Sequence, residues 1–158
     1  MNKLKELEQK YKELGEEIER LKNQGKVWKP KKTENYFLIN VNKAISDYTW
    51  GDSLFDNHIY ELGNCFKTKS EAETMLEKIQ IYTQLKRLAE EINTESIDWQ
   101  NREQEKYYIC YKTKLNRIEQ FNAGSQQDIG QIYSTNDDFL KYAFCRIGEE
   151  NLLKLFKE

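Results

Sequence analysis

Two stretches of the chain follow one plan: Gly63-Asn64-Cys65-Phe66-Lys67-Thr68-Lys69-Ser70-Glu71-Ala72-Glu73 and Gly130-Gln131-Ile132-Tyr133-Ser134-Thr135-Asn136-Asp137-Asp138-Phe139-Leu140. Each runs from a glycine through a half-apolar segment and an aromatic to a threonine, with an acidic residue three positions later. Thr68 to Glu71 and Thr135 to Asp138 have capping-box spacing: the hydroxyl accepts from an orphan N–H of the first helical turn, and the carboxylate reaches back to the cap. Each stretch is therefore expected to be a short strand entering a helix. Two strand-like runs precede each, so the expected module is strand, strand, short strand, helix.

In the first half, Tyr36 to Asn40 reads as a strand, Val41 to Lys43 as a turn and Ala44 to Trp50 as the return. Gly51 to Asn57 reads as a polar loop, and His58 to Leu62 leads into the first of the two stretches. The helix over Lys69 to Ile92 carries Ala72, Met75, Leu76, Ile79, Tyr82, Leu85, Leu88, Ala89 and Ile92, expected to form one core-facing stripe. After a polar connection come a strand at Tyr107 to Tyr111, a turn at Thr113 to Asn116 and a return at Arg117 to Phe121. Helices are expected over Asn136 to Ile147 and Asn151 to Phe156. Neither half is large enough to bury a good core alone, so the two modules are expected to share one antiparallel sheet. The fold class is α+β. Residues 1–25 are expected to be a coiled-coil oligomerisation helix, 26–33 a basic linker, and 34–158 an α+β domain with repeats at 34–92 and 106–158.

Leu4, Leu7, Tyr11, Leu14, Ile18 and Leu21 alternate spacings of three and four. That is a heptad seam with Leu4, Tyr11 and Ile18 at a and Leu7, Leu14 and Leu21 at d. In a parallel pair Lys3 faces Glu8 of the partner and Glu17 faces Lys22, both attractive. A seam this narrow suits a partner helix better than a broad domain surface, and self-association, most simply a dimer, is expected. Gly25 suits a left-handed C-terminal cap.

The formal net charge of -2 gives no global basic field for nucleic acid, and weak or no nucleic-acid binding is expected. Residues 1–25 are too charged for a signal peptide, and no apolar run reaches the roughly 18 residues of a membrane span. Cys65, Cys110 and Cys145 form neither a disulfide framework nor a zinc spacing; inside apolar patterns they read as buried free thiols, and a reducing cytoplasm is the expected compartment. Phosphate-loop, dinucleotide and nucleophile-elbow motifs do not occur, and no metal, cofactor or catalytic residue is assigned. His58, the one histidine, lies near Asp52 and Asp56, so a small enzyme centred on it can be written down.

Two places mix side chains suited to binding. Lys26-Val27-Trp28-Lys29-Pro30-Lys31-Lys32 could be a phosphate-binding strip with an indole to stack on a base; alternatively Trp28 packs back on the domain. In the loop from Trp50 to Asn64, Trp50, Phe55 and Tyr60 alternate with Asp52, Asp56, His58 and Asn64. Such mixtures line small-ligand pockets and protein interfaces alike. The candidate binding residues are Trp28, Lys29, Trp50, Asp52, Phe55, Asp56, His58, Tyr60 and Asn64. The Gly63-Asn64 and Gly130-Gln131 turns could offer backbone N–H groups to a ligand or simply permit tight packing.

The run Gly25 to Lys32 with Tyr36-Phe37-Leu38-Ile39, the Gly-Asn-Cys-Phe-Lys-Thr of Gly63 to Thr68 with Glu71-Ala72-Glu73, and Ile147-Gly148-Glu149-Glu150 resemble small phage and prophage accessory proteins of low-GC Gram-positive bacteria. Where those proteins usually carry a glycine near Thr33, this chain has none. The resemblance implies a phage accessory gene product with no described activity; by analogy with the binding roles of such genes, a non-enzymatic anti-defence protein in the host cytoplasm is expected. It would sequester a nucleotide-derived immune signal or block a host defence protein. A nucleic-acid-binding accessory factor using Lys26 to Lys32 is the alternative.

Overall fold

The computed structural model describes residues 2–23 and 27–157; within the first helix the side chains of residues 2, 4, 16, 17 and 19–23 are outside that description. The expectations placed on the side chains of Leu4 and Leu21, on Gly25 and on Lys26 therefore lie outside the described residues. The fold is α+β, with five helices and two small antiparallel sheets among the described residues. The chain divides into two compact units, Met1–Leu38 with Asp47–Lys67 and Ile39–Ser46 with Thr68–Glu158.

The first unit begins with α1 (Asn2–Asn23), on which Leu7, Tyr11, Leu14 and Ile18 are exposed. The strands β1 (Asn35–Ile39) and β2 (Ile45–Thr49) form the expected hairpin; Lys43 takes φ 66° at its turn and the Asn42 carboxamide accepts from the Ala44 N–H. Phe66 adds a one-residue antiparallel bridge to β1, exchanging two 2.9 Å backbone hydrogen bonds with Phe37. Tyr36, Leu38 and Trp50 form this unit's small core, with Trp28, Ile59, Tyr60 and Cys65 packed around it.

Between β2 and Phe66, the structure overturns one expectation. The stretch expected as a loop from Trp50 to Asn64 contains a helix, α2 (Leu54–Glu61), with Leu62 as its C-cap. Ser53 and Asp56 make a full capping box at the start, and Gly63 closes the end at φ 71°. The Gly63 N–H donates to the Tyr60 carbonyl and the Asn64 N–H to that of Ile59, the Schellman pattern. Those two N–H groups thus finish a helix and are not presented to a ligand.

The second unit is built on α3 (Lys69–Ile92), which has the capping box expected at Thr68 and Glu71. The strands β3 (Tyr107–Lys112), β4 (Arg117–Asn122) and β5 (Tyr133–Ser134) form a sheet of order β4-β3-β5, all antiparallel. The helices α4 (Phe139–Arg146) and α5 (Glu149–Phe156) follow. Leu85, Leu88, Ile109, Ile118, Phe139, Ala143 and Leu152 form the centre of one core. Fully burying a side chain of this size contributes about 1.5–3 kcal/mol. The connection before β3 is held by Lys106, wholly buried: its ammonium donates to the Asn101 and Gln104 carbonyls at 2.9 Å and stands 5.6 Å over the Trp99 ring.

The repeat survives as topology. In each half of the sequence a hairpin precedes a short antiparallel partner on its first strand, Phe66 on Phe37 and Tyr133 on Tyr108, and then a helix. The halves do not share one sheet, however; each hairpin has its own. Thr135 also departs from plan. α4 begins after Asp138 without a side-chain cap, and the Thr135 hydroxyl instead accepts from the Thr94 N–H at the end of α3. Asn93 there accepts from both the Ser134 hydroxyl and the Thr135 N–H. The cysteines are free, but Cys145 is exposed and the other two half-buried.

The single apolar stripe expected on α3 resolves into two. The C-terminal half buries Ile81, Leu85, Leu88 and Ala89, whereas Met75, Ile79 and Tyr82 are exposed. At 100° per residue, the mean direction of Ala72, Met75, Leu76 and Ile79 lies roughly 150° from that of Ile81 through Ile92. The first-half face borders a groove of about 430 Å³ shared with Ile39, Asn40 and Lys43 of the hairpin tip. Chemical denaturation should separate the faces: Ile81→Ala should cost about 2–4 kcal/mol and Ile79→Ala under about 1. Equal costs would contradict the two-faced helix.

Candidate functional site: a lysine-lined groove

The expected loop site centres on Asp56, and the structure gives that carboxylate a structural task. Asp56 is 4% exposed. Its Oδ1 accepts from the Tyr36 hydroxyl at 2.9 Å, and its Oδ2 from the Gly51 N–H, the Ser53 N–H and the Ser53 hydroxyl at 3.0, 3.0 and 2.8 Å. Burial by itself raises this carboxyl; the Ser53, Tyr36 and Gly51 hydrogen bonds overcome it and hold the group at about 2, below its ordinary 3.8. Burial, and then the bond to Asp56, push the Tyr36 hydroxyl well above the usual phenol range.

Trp50 is also taken into the core, 3% exposed, with Tyr36 and Tyr60 edge-on to it at 5.7 and 6.3 Å. Over this aromatic wall stands the Lys29 ammonium, 5.0 Å from the Trp50 centroid and 5.2 Å from that of Tyr60, donating to Asn57 Oδ1 at 3.0 Å. The structure thus brings together Trp28, Lys29, Trp50 and Tyr60 from the sequence-derived set. Asp52, at φ 59°, accepts from the Asn57 carboxamide; Phe55 and His58 face outward on α2, and Asn64 is half-buried beyond it. No Ser, Cys or carboxylate side chain hydrogen bonds to His58 among the described residues. The Cys65 thiol, pushed up to about 11 chiefly by burial and then by Asp56, stays protonated and is no nucleophile at neutral pH. No group of three or more His, Cys, Asp or Glu side chains is placed to hold a metal among the described residues.

On the other side of Lys29 opens a groove of about 800 Å³ lined by Val27, Trp28, Lys29, Lys31, Lys32, Thr33, Glu34 and Lys67. Trp28 is half-buried: it packs back on the core and still lines the groove. Lys31 and Lys32 make no ion pair or side-chain hydrogen bond among the described residues. The one carboxylate of the lining, Glu34, accepts from the Lys31 N–H at 2.8 Å. Lys67, more than thirty positions from the other lysines, joins them because the Phe37–Phe66 bridge sets its backbone beside β1. Nothing in the local sequence signals it.

At the groove's edge Thr33 takes φ 70°, a left-handed conformation that costs a β-branched residue roughly 1–2 kcal/mol. The neighbours hold it there: the Thr33 N–H donates to the Trp50 carbonyl, and the Glu34 N–H to that of Lys31.

No family model, curated protein or solved structure matches the chain. Among the described residues no helix is long and apolar enough to cross a membrane.

Two measurements check this geometry. A group held below its ordinary value stabilises the fold fully above that value, near pH 3.8, and the contribution is lost as pH falls through about 2. Acid unfolding of the first unit, followed by Trp fluorescence, should therefore lose an Asp56-dependent component in that window, and Asp56→Asn should abolish the component. Asp56→Asn should also cost at least about 2 kcal/mol at neutral pH. Thr33→Gly should stabilise the chain by about 0.5–1 kcal/mol in denaturant melts; a loss would mean that the threonine methyl or hydroxyl outweighs the strain.

Proposed function

We propose that the protein is a non-enzymatic binding protein whose groove beside Trp28 takes a nucleotide-like anion. The observation that carries this is the convergence of Lys29, Lys31, Lys32 and Lys67 on one groove with a half-buried indole at its edge. Ammonium groups suit phosphate oxygens, and an indole face suits a base. The acidic residues that would oppose an anion are largely occupied: Asp56 is buried within four hydrogen bonds and Glu34 is bound to backbone. Together with the resemblance to phage accessory proteins, this supports an anti-defence role in the host cytoplasm, sequestering a nucleotide-derived immune signal.

A second reading, blocking a host defence protein, draws on Tyr48, Leu54 and Phe55, which are 41%, 73% and 49% exposed in the same unit. Calorimetric titration with a panel of mono- and dinucleotides separates the two. Binding that weakens about tenfold or more in Lys31→Glu/Lys32→Glu, where two attractions become repulsions, is the expected result. Duplex DNA should show only weak, salt-sensitive affinity from so few cations. If every nucleotide fails to bind while Phe55→Ala abolishes protection of phage in infected cells, the protein-blocking reading replaces the first.

A further inference from the structure

On α1 the side chains of Leu7, Tyr11, Leu14 and Ile18 are 57%, 82%, 64% and 45% exposed, at successive spacings of four, three and four. A lone helix of 22 residues showing such a stripe to water is marginal, because its stability comes from covering that stripe. We infer that a second copy of this chain covers it, in parallel and in register.

The charges beside the seam favour this occupant and this direction. In the heptad frame Lys3, Lys10 and Glu17 fall at g, and Glu8, Gly15 and Lys22 at e. A parallel in-register pair sets Lys3 against Glu8, Glu17 against Lys22, and Lys10 against Gly15. Each contact repeats by symmetry and none is repulsive. An antiparallel pair keeps its outer attractions but places Lys10 against Lys10 of the partner at the centre. Like charges at such range cost several tenths of a kcal/mol, enough to set direction in a short coil. A different partner protein would have no reason to match the chain's own g-to-e sequence.

Parallel pairing brings both chains out at the same end. Four Cα steps, at most about 14 Å, separate Asn23 from Val27, the first residue of the groove. Two lysine grooves therefore follow directly from one end of the coil. This last consequence rests on the groove reading; the pairing does not.

The test is disulfide mapping on the full chain carrying Leu7→Cys and Ile18→Cys in a Cys145→Ser background, after mild oxidation. Linkages between the two copies of position 7 and between the two copies of position 18 are expected. Light scattering of the unsubstituted chain should give twice its 19.0 kDa. Linkage of position 7 to position 18 would overturn the direction. A monomeric mass at about 50 μM, a working range for a short coil, would overturn the pairing. Failure of the groove is read separately: a dimeric chain that binds no nucleotide leaves the pairing standing and removes the groove.

Discussion

The first unit depends on one buried carboxylate. Asp56 accepts four hydrogen bonds from three places in the chain: the β1 residue Tyr36, the Gly51 N–H after β2, and Ser53 at the start of α2. An unpartnered buried carboxylate would be costly, so these donors must be assembled together or not at all. Once they are, the chain after Trp50 must turn and enter a helix. Trp50 is then held inside the small core, and its ring becomes the wall over which Lys29 stands. The groove is thus positioned by a group that does not itself line it.

Much of the fold was legible because several signals agreed locally. The bounds of α3 follow from Thr68/Glu71 at one end and Asn93 at the other, and both hairpins from polar turns between apolar alternations. α2 was missed although it carried a signal of the same form: Ser53-Leu54-Phe55-Asp56 has the spacing of Thr68 to Glu71. The mix of polar and aromatic residues from Trp50 to Asn64 was read as a loop, and the cap was passed over. α3 misled in another way. A stripe of nine apolar positions was read as one face, and Ile81, which belongs to the core, was not among them.

The candidate site was legible in part. Of the aromatic and acidic residues that attracted attention between Trp50 and Asp56, Trp50 and Asp56 are committed to holding the unit together, as a buried ring and a buried carboxylate, while Asp52 and Phe55 are exposed. The lysines of the linker were visible as a run. Their relation to Lys67 was not, since it depends on a single pair of backbone hydrogen bonds at Phe37 and Phe66. Thr33 shows the limit most plainly: composition cannot reveal a left-handed backbone at a residue that disfavours it.

The two-faced α3 also bears on how such a chain can diverge. Its halves carry their apolar residues on opposite sides with no break between Ile79 and Ile81, so the relative angle of the two faces is fixed by residue count alone. Adding or removing one residue there would swing one face by about 100°, whereas seven would restore it to within about 20°. Length variation should therefore accumulate in the segments at 94–105 and 122–131, while the helix keeps a constant length. In a family of such chains, α3 would serve as the ruler against which the rest is aligned.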